Sequence, residues 1–252
     1  MSGVARNSWI VTRATGAERV RLFCFPFAGG SGLTYRPWHD GLPQQIGVHA
    51  VQLPGRGPRL AEAPIDDMEA LLDAFMPSLL PLLDRPFALF GHSMGAAIAY
   101  ETARRLASRH RLHPVRVFVS ARAAPVRSSR RAETFALNDE AFRARLRLLG
   151  GTPEEVLREP ELMAMFLPML RADFRLNDLY APAPGPNLVC PMTVFGGRDD
   201  PVVHIDELDA WRNLAGGEYE RIMFEGGHHY FRDAQADLLA AIALRLIGPV
   251  TS

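Results

Sequence analysis

Short apolar runs alternate along this chain with longer amphipathic ones, and this alternation limits the possible folds more than any other feature. The runs 20–25, 48–53, 87–90, 115–120, 192–195 and 221–224 have the length and composition of buried strands. Between them, apolar residues recur at helical spacing over 68–83, 96–110, 206–214 and 233–246. In the first of these, Met76, Leu79, Leu80 and Leu83 set one face against a core. Strands that read as continuous apolar runs, each followed by a helix, predict an α/β fold: a mostly parallel sheet covered on both faces. A chain of 252 residues is long enough to bury such a sheet in one core.

One region breaks the pattern. Between 125 and 187 only helical pieces are legible: "LNDEAFRARLRLLGG", "TPEEVLREP" and "ELMAMFLPMLRADFRLNDLY". Asn138 or Asp139 can cap the first piece, and Gly150–Gly151 can end it. The stiff linker "APAPGPN" then returns the chain to the sheet. The expectation is therefore a core made of 1–124 and 188–252, with 125–187 inserted as a helical cap. The cap is expected over the carboxyl ends of the strands, where open α/β sheets bind ligands.

Composition narrows the partners. The 28 basic residues, all arginine, balance 28 acidic ones, so the chain as a whole carries no basic footprint for nucleic acid. Cys24 and Cys190 lie beside apolar runs with no His or Cys at metal-ligand spacing, which reads as buried free thiols in a reducing compartment. No stretch has the apolar length of a signal peptide core or a membrane span. The expected location is the cytoplasm, away from membranes.

Chemistry enters at "LFGHSMGAA", residues 89–97. "GHSMG" fits the G-x-S-x-G turn that presents a nucleophilic serine, and its surroundings match: the strand "PFALF" before it, the helix "AAIAYETARRLASRH" after it. Ser93 is the candidate nucleophile, and the backbone N–H of Met94, at the helix start, is a candidate oxyanion donor. A serine hydroxyl needs a base at neutral pH. In the α/β-hydrolase fold the acid and then the histidine follow the serine along the chain.

"VFGGRDDPVV" and "FEGGHHYF" supply both in that order, each just after a strand. Each offers a pair. Asp200 is favoured over Asp199, and His228 over His229. The turn "FPFAGGSG" after the first strand is where a second oxyanion donor belongs, with Ala28 preferred and Phe27 the alternative.

Six segments, "FPFAGGSGLTYRPW", "VQLPGRGPRL", "FALFGHSMGAAIAYE", "LPMLRADFRLNDLY", "VFGGRDDPVV" and "FEGGHHYF", resemble in order the landmarks of the type II thioesterases. These are the stand-alone editing hydrolases of polyketide and nonribosomal peptide synthesis. The chain departs from many relatives in carrying His229 where they have an aromatic. The resemblance implies an α/β-hydrolase fold and a substrate acyl group held as a thioester on the phosphopantetheine arm of an acyl or peptidyl carrier protein. It implies a Ser93–His228–Asp200 acyl-enzyme mechanism that needs no metal and no cofactor.

The expected cap surface for the acyl chain is Met163, Met165, Phe166, Met169 and Leu170, with packing of cap on core as the plain alternative. Arg171 and Asp173 of "RADF" read as charges that position the cap. Carrier proteins are generally acidic, so Arg122, Arg127, Arg130 and Arg131 form a candidate docking face, against the alternative of a solvated arginine-rich loop. Competing readings are a carboxylesterase or lipase acting on oxygen esters, and a binding protein with an idle triad.

Overall fold

The computed structural model describes residues 8–13, 16–125 and 133–249. Seven strands form one sheet: β1 (Ile10–Thr12), β2 (Val20–Phe25), β3 (Ile46–Val51), β4 (Phe87–His92), β5 (Arg116–Ser120), β6 (Met192–Gly197) and β7 (Tyr219–Phe224). Their order is β1-β3-β2-β4-β5-β6-β7, with β1 antiparallel to β3 and every other pair parallel. The helices are α1 (Trp38–Gly41), α2 (Met68–Leu79), α3 (Met94–Arg105), α4 (Asp139–Leu149), α5 (Glu154–Arg158), α6 (Pro160–Leu179), α7 (Ile205–Asp209) and α8 (Gln235–Ile247).

The central strands are apolar throughout because both faces are covered, and alternate side chains enter different cores. Along β2, Phe23 and Phe25 pack with α2 and α3, while Val20, Leu22 and Cys24 pack with α1 and α8. In β5, Val117 and Val119 face the first side and Phe118 the second. Phe75 of α2 meets the rings of Phe25 and Trp9 at 5.6 and 5.7 Å, which closes the first face.

Several boundaries differ from expectation. β1, a three-residue antiparallel edge strand, was not foreseen from sequence. β3 begins and ends two residues early; just beyond it Gln52 N–H donates to Trp9 O at 2.7 Å, while its side chain accepts from Gly32 N–H and donates to Arg56 O. α2 stops at Leu79 and tightens into a 3-10 turn. α3 starts at Met94 rather than Ala96, and it ends in a π-helical turn, Leu106–His110.

Between β5 and β6 the described residues form helices joined by loops, with one isolated bridge from Leu188 to Ala215. Asn138 caps α4, its Oδ1 accepting from Ala141 N–H at 2.9 Å. α4, α5 and α6 share a small core of their own, in which Phe142 and Phe174 meet edge to face at 5.4 Å. Leu146, Leu149 and Phe174 from this unit reach the carboxyl ends of β2 and β4, where they border the same cavity as Ser93. No helix among the described residues is long and apolar enough to cross a membrane.

Candidate active site

β4 runs straight into α3 with a single residue, Ser93, as the corner. Its backbone sits at φ 53° and ψ −115°, a conformation that L residues avoid. Ser93 N–H donates to Ser120 O at 2.8 Å, and Ser93 O accepts from Ala96 N–H at 3.1 Å, so the corner is bound on both sides. The flanking glycines are a matter of space. A Cβ on Gly91 would lie 2.0 Å from Gly95 O, and one on Gly95 would lie 2.2 Å from Phe25 O. Both contacts are to backbone, so neither position has room for a side chain while the helix packs this close to the sheet.

Three distant loops meet at this corner. His228 Nε2 lies 3.1 Å from Ser93 Oγ, and His228 Nδ1 lies 2.8 Å from Asp200 Oδ2. A carboxylate only accepts, so Nδ1 carries the hydrogen and Nε2 is left to accept from the serine hydroxyl. The other oxygen of Asp200 accepts from Val202 N–H at 2.8 Å and Val203 N–H at 3.2 Å, which fixes the carboxylate plane. Asp200 and His228 are both buried, while Asp199 is exposed.

His229 points elsewhere. Its ring packs on Phe27 at 4.9 Å, and its Nε2 would sit 3.1 Å from a Cβ on Gly151, at the end of α4. Burial, with the neighbouring His228 and Arg232 charges, pushes its pKa down to about 3, so it stays neutral. His228 touches the hydroxyl and His229 does not.

His92, inside "GHSMG", was not singled out from sequence, and any residue would satisfy that motif position. Its ring lies under those of His228 and His229, at 5.3 and 5.4 Å. Its Nδ1 is 2.8 Å from Ser120 Oγ, which in turn is 2.6 Å from Tyr230 OH. Full burial, followed by the charges of His228 and His229, pushes its pKa well below the ordinary value. It acts as a neutral floor under the histidine loop.

Met94 is the first residue of α3, so its N–H is one of the first-turn donors that no helix carbonyl can satisfy. Ala28 and Phe27 both border the Ser93 cavity. Two lobes meet at Ser93 and His228. Both are bordered by Asn177 and Asp178; one, of about 90 Å³, adds Phe27, Leu146, Leu149 and Phe174, and the other, of about 170 Å³, is more polar and adds Arg122 and Glu207.

Two expectations need correction. Met163, Met165, Phe166, Met169 and Leu170 border neither lobe. Met163, Met169 and Leu170 fill the core shared by α4–α6, with Phe166 packed against it, and Met165 faces solvent. Arg122 is 4% exposed, bonded to Asn177 Oδ1 and 5.4 Å from the Tyr180 ring, so it is unavailable as a docking charge. Arg127, Arg130 and Arg131 lie outside the described residues.

The two charges of "RADF" separate. Arg171 stays within the helical unit, donating to Phe135 O at 2.5 Å and Asp139 Oδ1 at 2.6 Å. Asp173 is buried against Arg56, which stands in the "LPGRG" segment and was not marked from sequence as functional. A glycine-flanked arginine on an apolar segment was the available signal.

Known proteins resemble this one over most of its length. The family model described as "Thioesterase domain" matches residues 20–245. The gramicidin S biosynthesis protein GrsT of Aneurinibacillus migulanus is 36% identical over 241 residues, covering 95% of this chain and 94% of that protein. Among solved structures, the type II thioesterase BorB from the borrelidin biosynthetic cluster superposes with a TM-score of 0.87 at 40% identity, covering 94% of this chain and 97% of that one. The RedJ thioesterase from the prodiginine pathway of Streptomyces coelicolor gives 0.85 at 38%, with 92% of each chain covered. The sheet order and the serine corner are those of the α/β-hydrolase fold, and the chain belongs to the thioesterase family.

Proposed function

We propose that this enzyme hydrolyses acyl groups from the phosphopantetheine thiol of acyl or peptidyl carrier proteins in a polyketide or nonribosomal peptide pathway, clearing stalled or wrong chains. The observation that carries the reading is the continuous contact from Ser93 Oγ through His228 to the buried Asp200, opening onto two cavity lobes of different polarity. The names of the relatives, a type II thioesterase from the borrelidin biosynthetic cluster and a thioesterase from the prodiginine biosynthetic pathway, support the substrate class.

The chemistry follows from the contacts. His228 Nε2 takes the hydroxyl proton as Ser93 Oγ bonds to the thioester carbonyl carbon, and Asp200 stabilises the imidazolium. The negative oxygen is held by the Met94 and Ala28 N–H groups; losing one such donor typically costs about 2.7–4 kcal/mol. When the C–S bond breaks, the electrons leave with sulfur, and the His228 proton restores the free thiol. A thiol of pKa about 8.5 is a good leaving group, so this step demands less of the acid than an alkoxide would. Water then attacks the acyl-serine with His228 again as base, and the carboxylic acid departs.

In this reading the apolar lobe takes the acyl chain and the polar lobe takes the pantetheine amides. The helices between β5 and β6 act as a cap over both. Buried, unpaired Cys24 and Cys190 fit a cytoplasmic enzyme.

The test is mass spectrometry of purified carrier proteins loaded with different acyl groups, before and after incubation with enzyme. Loss of the acyl mass, absent with Ser93→Ala, is the expected result. Carrier thioesters left intact while matched oxygen esters are cleaved would refute the proposal in favour of an esterase.

A further inference from the structure

The buried pair Arg56–Asp173 joins the helical unit to the loop that carries the Ala28 amide. Asp173, on α6, accepts from Arg56 Nη1 and Nη2 at 2.6 Å each and from Gly29 N–H at 2.7 Å. Arg56 Nη1 also donates to Gly30 O at 3.0 Å, and its Nε donates to Pro54 O at 3.3 Å. The two side chains are 4% and 2% exposed.

These bonds clasp one tight turn. Gly30 N–H donates to Phe27 O at 2.8 Å, and Gly29 sits at φ 80°, which together make Phe27–Gly30 a type II turn with Ala28 and Gly29 at its centre. A Cβ on Gly29 would lie 2.8 Å from Leu170 Cδ2, so α6 is seated directly on the turn. In the alternative type I turn the central peptide is flipped, and the Ala28 carbonyl would face the Asp173 carboxylate in place of the Gly29 N–H. The carboxylate therefore admits one orientation of that peptide.

A buried ion pair is a weak source of stability, since well-packed apolar residues of similar volume often replace it without loss. The pair makes better sense as a clamp on geometry. We propose that Asp173 is a positioning residue for catalysis: through the Gly29 N–H, and with Arg56 on Gly30 O, it fixes the turn that aims the Ala28 amide at the developing oxyanion. This rests on the reading of Ser93 as nucleophile and Ala28 as donor. It also means that the oxyanion site is complete only while α6 is seated.

The test separates positioning from folding. In Asp173→Asn, kcat for an acyl-carrier thioester falls at least about tenfold, within the about 10²–10³ that a whole oxyanion donor is worth, while KM moves by less than about twofold. Affinity for an alkylboronic acid, which becomes tetrahedral on Ser93, falls by the same factor as kcat/KM.

Asp173→Glu keeps the charge but moves the carboxylate, and it carries the test if the asparagine variant does not fold. The double variant Arg56→Met/Asp173→Leu removes both charges; its thermal midpoint recovers relative to the single variants while its kcat stays low. Arg171→Gln, which removes the bonds from α6 to Phe135 O and Asp139 Oδ1 but leaves α6 seated on the turn through Asp173 and Leu170, keeps kcat and boronic acid affinity within about twofold.

A double variant that regains wild-type kcat together with stability overturns the proposal, as does a loss confined to KM. A wild-type protein that neither turns over acyl-carrier thioesters nor reacts with a fluorophosphonate at Ser93 overturns the parent reading instead.

Discussion

Replacing Ser93 by glycine should yield a more stable protein than replacing it by alanine, although both lose the proposed nucleophile. Each variant deletes the hydroxyl and its 3.1 Å contact with His228 Nε2, so that loss cancels in the comparison. What remains is backbone. At φ 53° and ψ −115°, alanine keeps the steric conflict that serine has, whereas glycine has none. Strain of this kind is worth about 1–3 kcal/mol. Glycine gives back about 0.5–1 kcal/mol through its freer unfolded chain.

The net expectation is that Ser93→Gly exceeds Ser93→Ala by about 0.5–2 kcal/mol, or a few degrees in thermal midpoint for a chain this size. Urea unfolding at neutral pH, followed by circular dichroism, reads the difference directly from the midpoints at equal slope. Fluorophosphonate labelling of the wild type alone is the expected result if Ser93 is the nucleophile, as proposed. An alanine variant as stable as the glycine variant, or more so, would show that the corner stores no strain and that its shape has some other cause.

Asp200→Asn should cost about 10⁴ in kcat, because an amide no longer forces the hydrogen onto His228 Nδ1, while Asp199→Asn at its exposed neighbour leaves kcat within about a few fold; steady-state kinetics on one thioester decides. Truncating Phe174 to alanine widens the small apolar lobe and should raise kcat/KM for longer acyl chains relative to shorter ones; an unchanged ratio would remove that lobe as the acyl site. His229 is held neutral in the folded chain but titrates near its ordinary 6.5 when unfolded. The unfolded state therefore binds the extra proton, and stability is lost as pH falls below about 6.5 toward 3. His229→Phe should flatten this fall by about 1.4 kcal/mol per pH unit, read from urea unfolding at pH 6 and pH 5.

Several elements could be read directly from the linear pattern because their causes are local. An apolar run followed by helical periodicity encodes strand and helix wherever both faces are buried, which is the situation of β2, β4, β5 and β6. Three-residue β1 carries no such signal, since only Ile10 is buried and its partner Val51 lies far along the chain. "GHSMG" is legible for the same reason as the strands: the crowding of Gly91 against Gly95 arises within five residues.

The sequence alone thus determined the layered sheet, the serine corner, the chain order of the proposed acid and base, and the helical stretch between β5 and β6. Tertiary structure decided which histidine faces the hydroxyl and which aspartate faces that histidine, because adjacent residues on a loop point in different directions and only packing chooses between them. It also decided the fate of the arginines. Arg122 turned inward beside Asn177, and Arg56 found Asp173 117 residues away. A charge becomes a partner only when the folded chain brings its counter-charge within reach and removes the water between them, and no local spacing records that event.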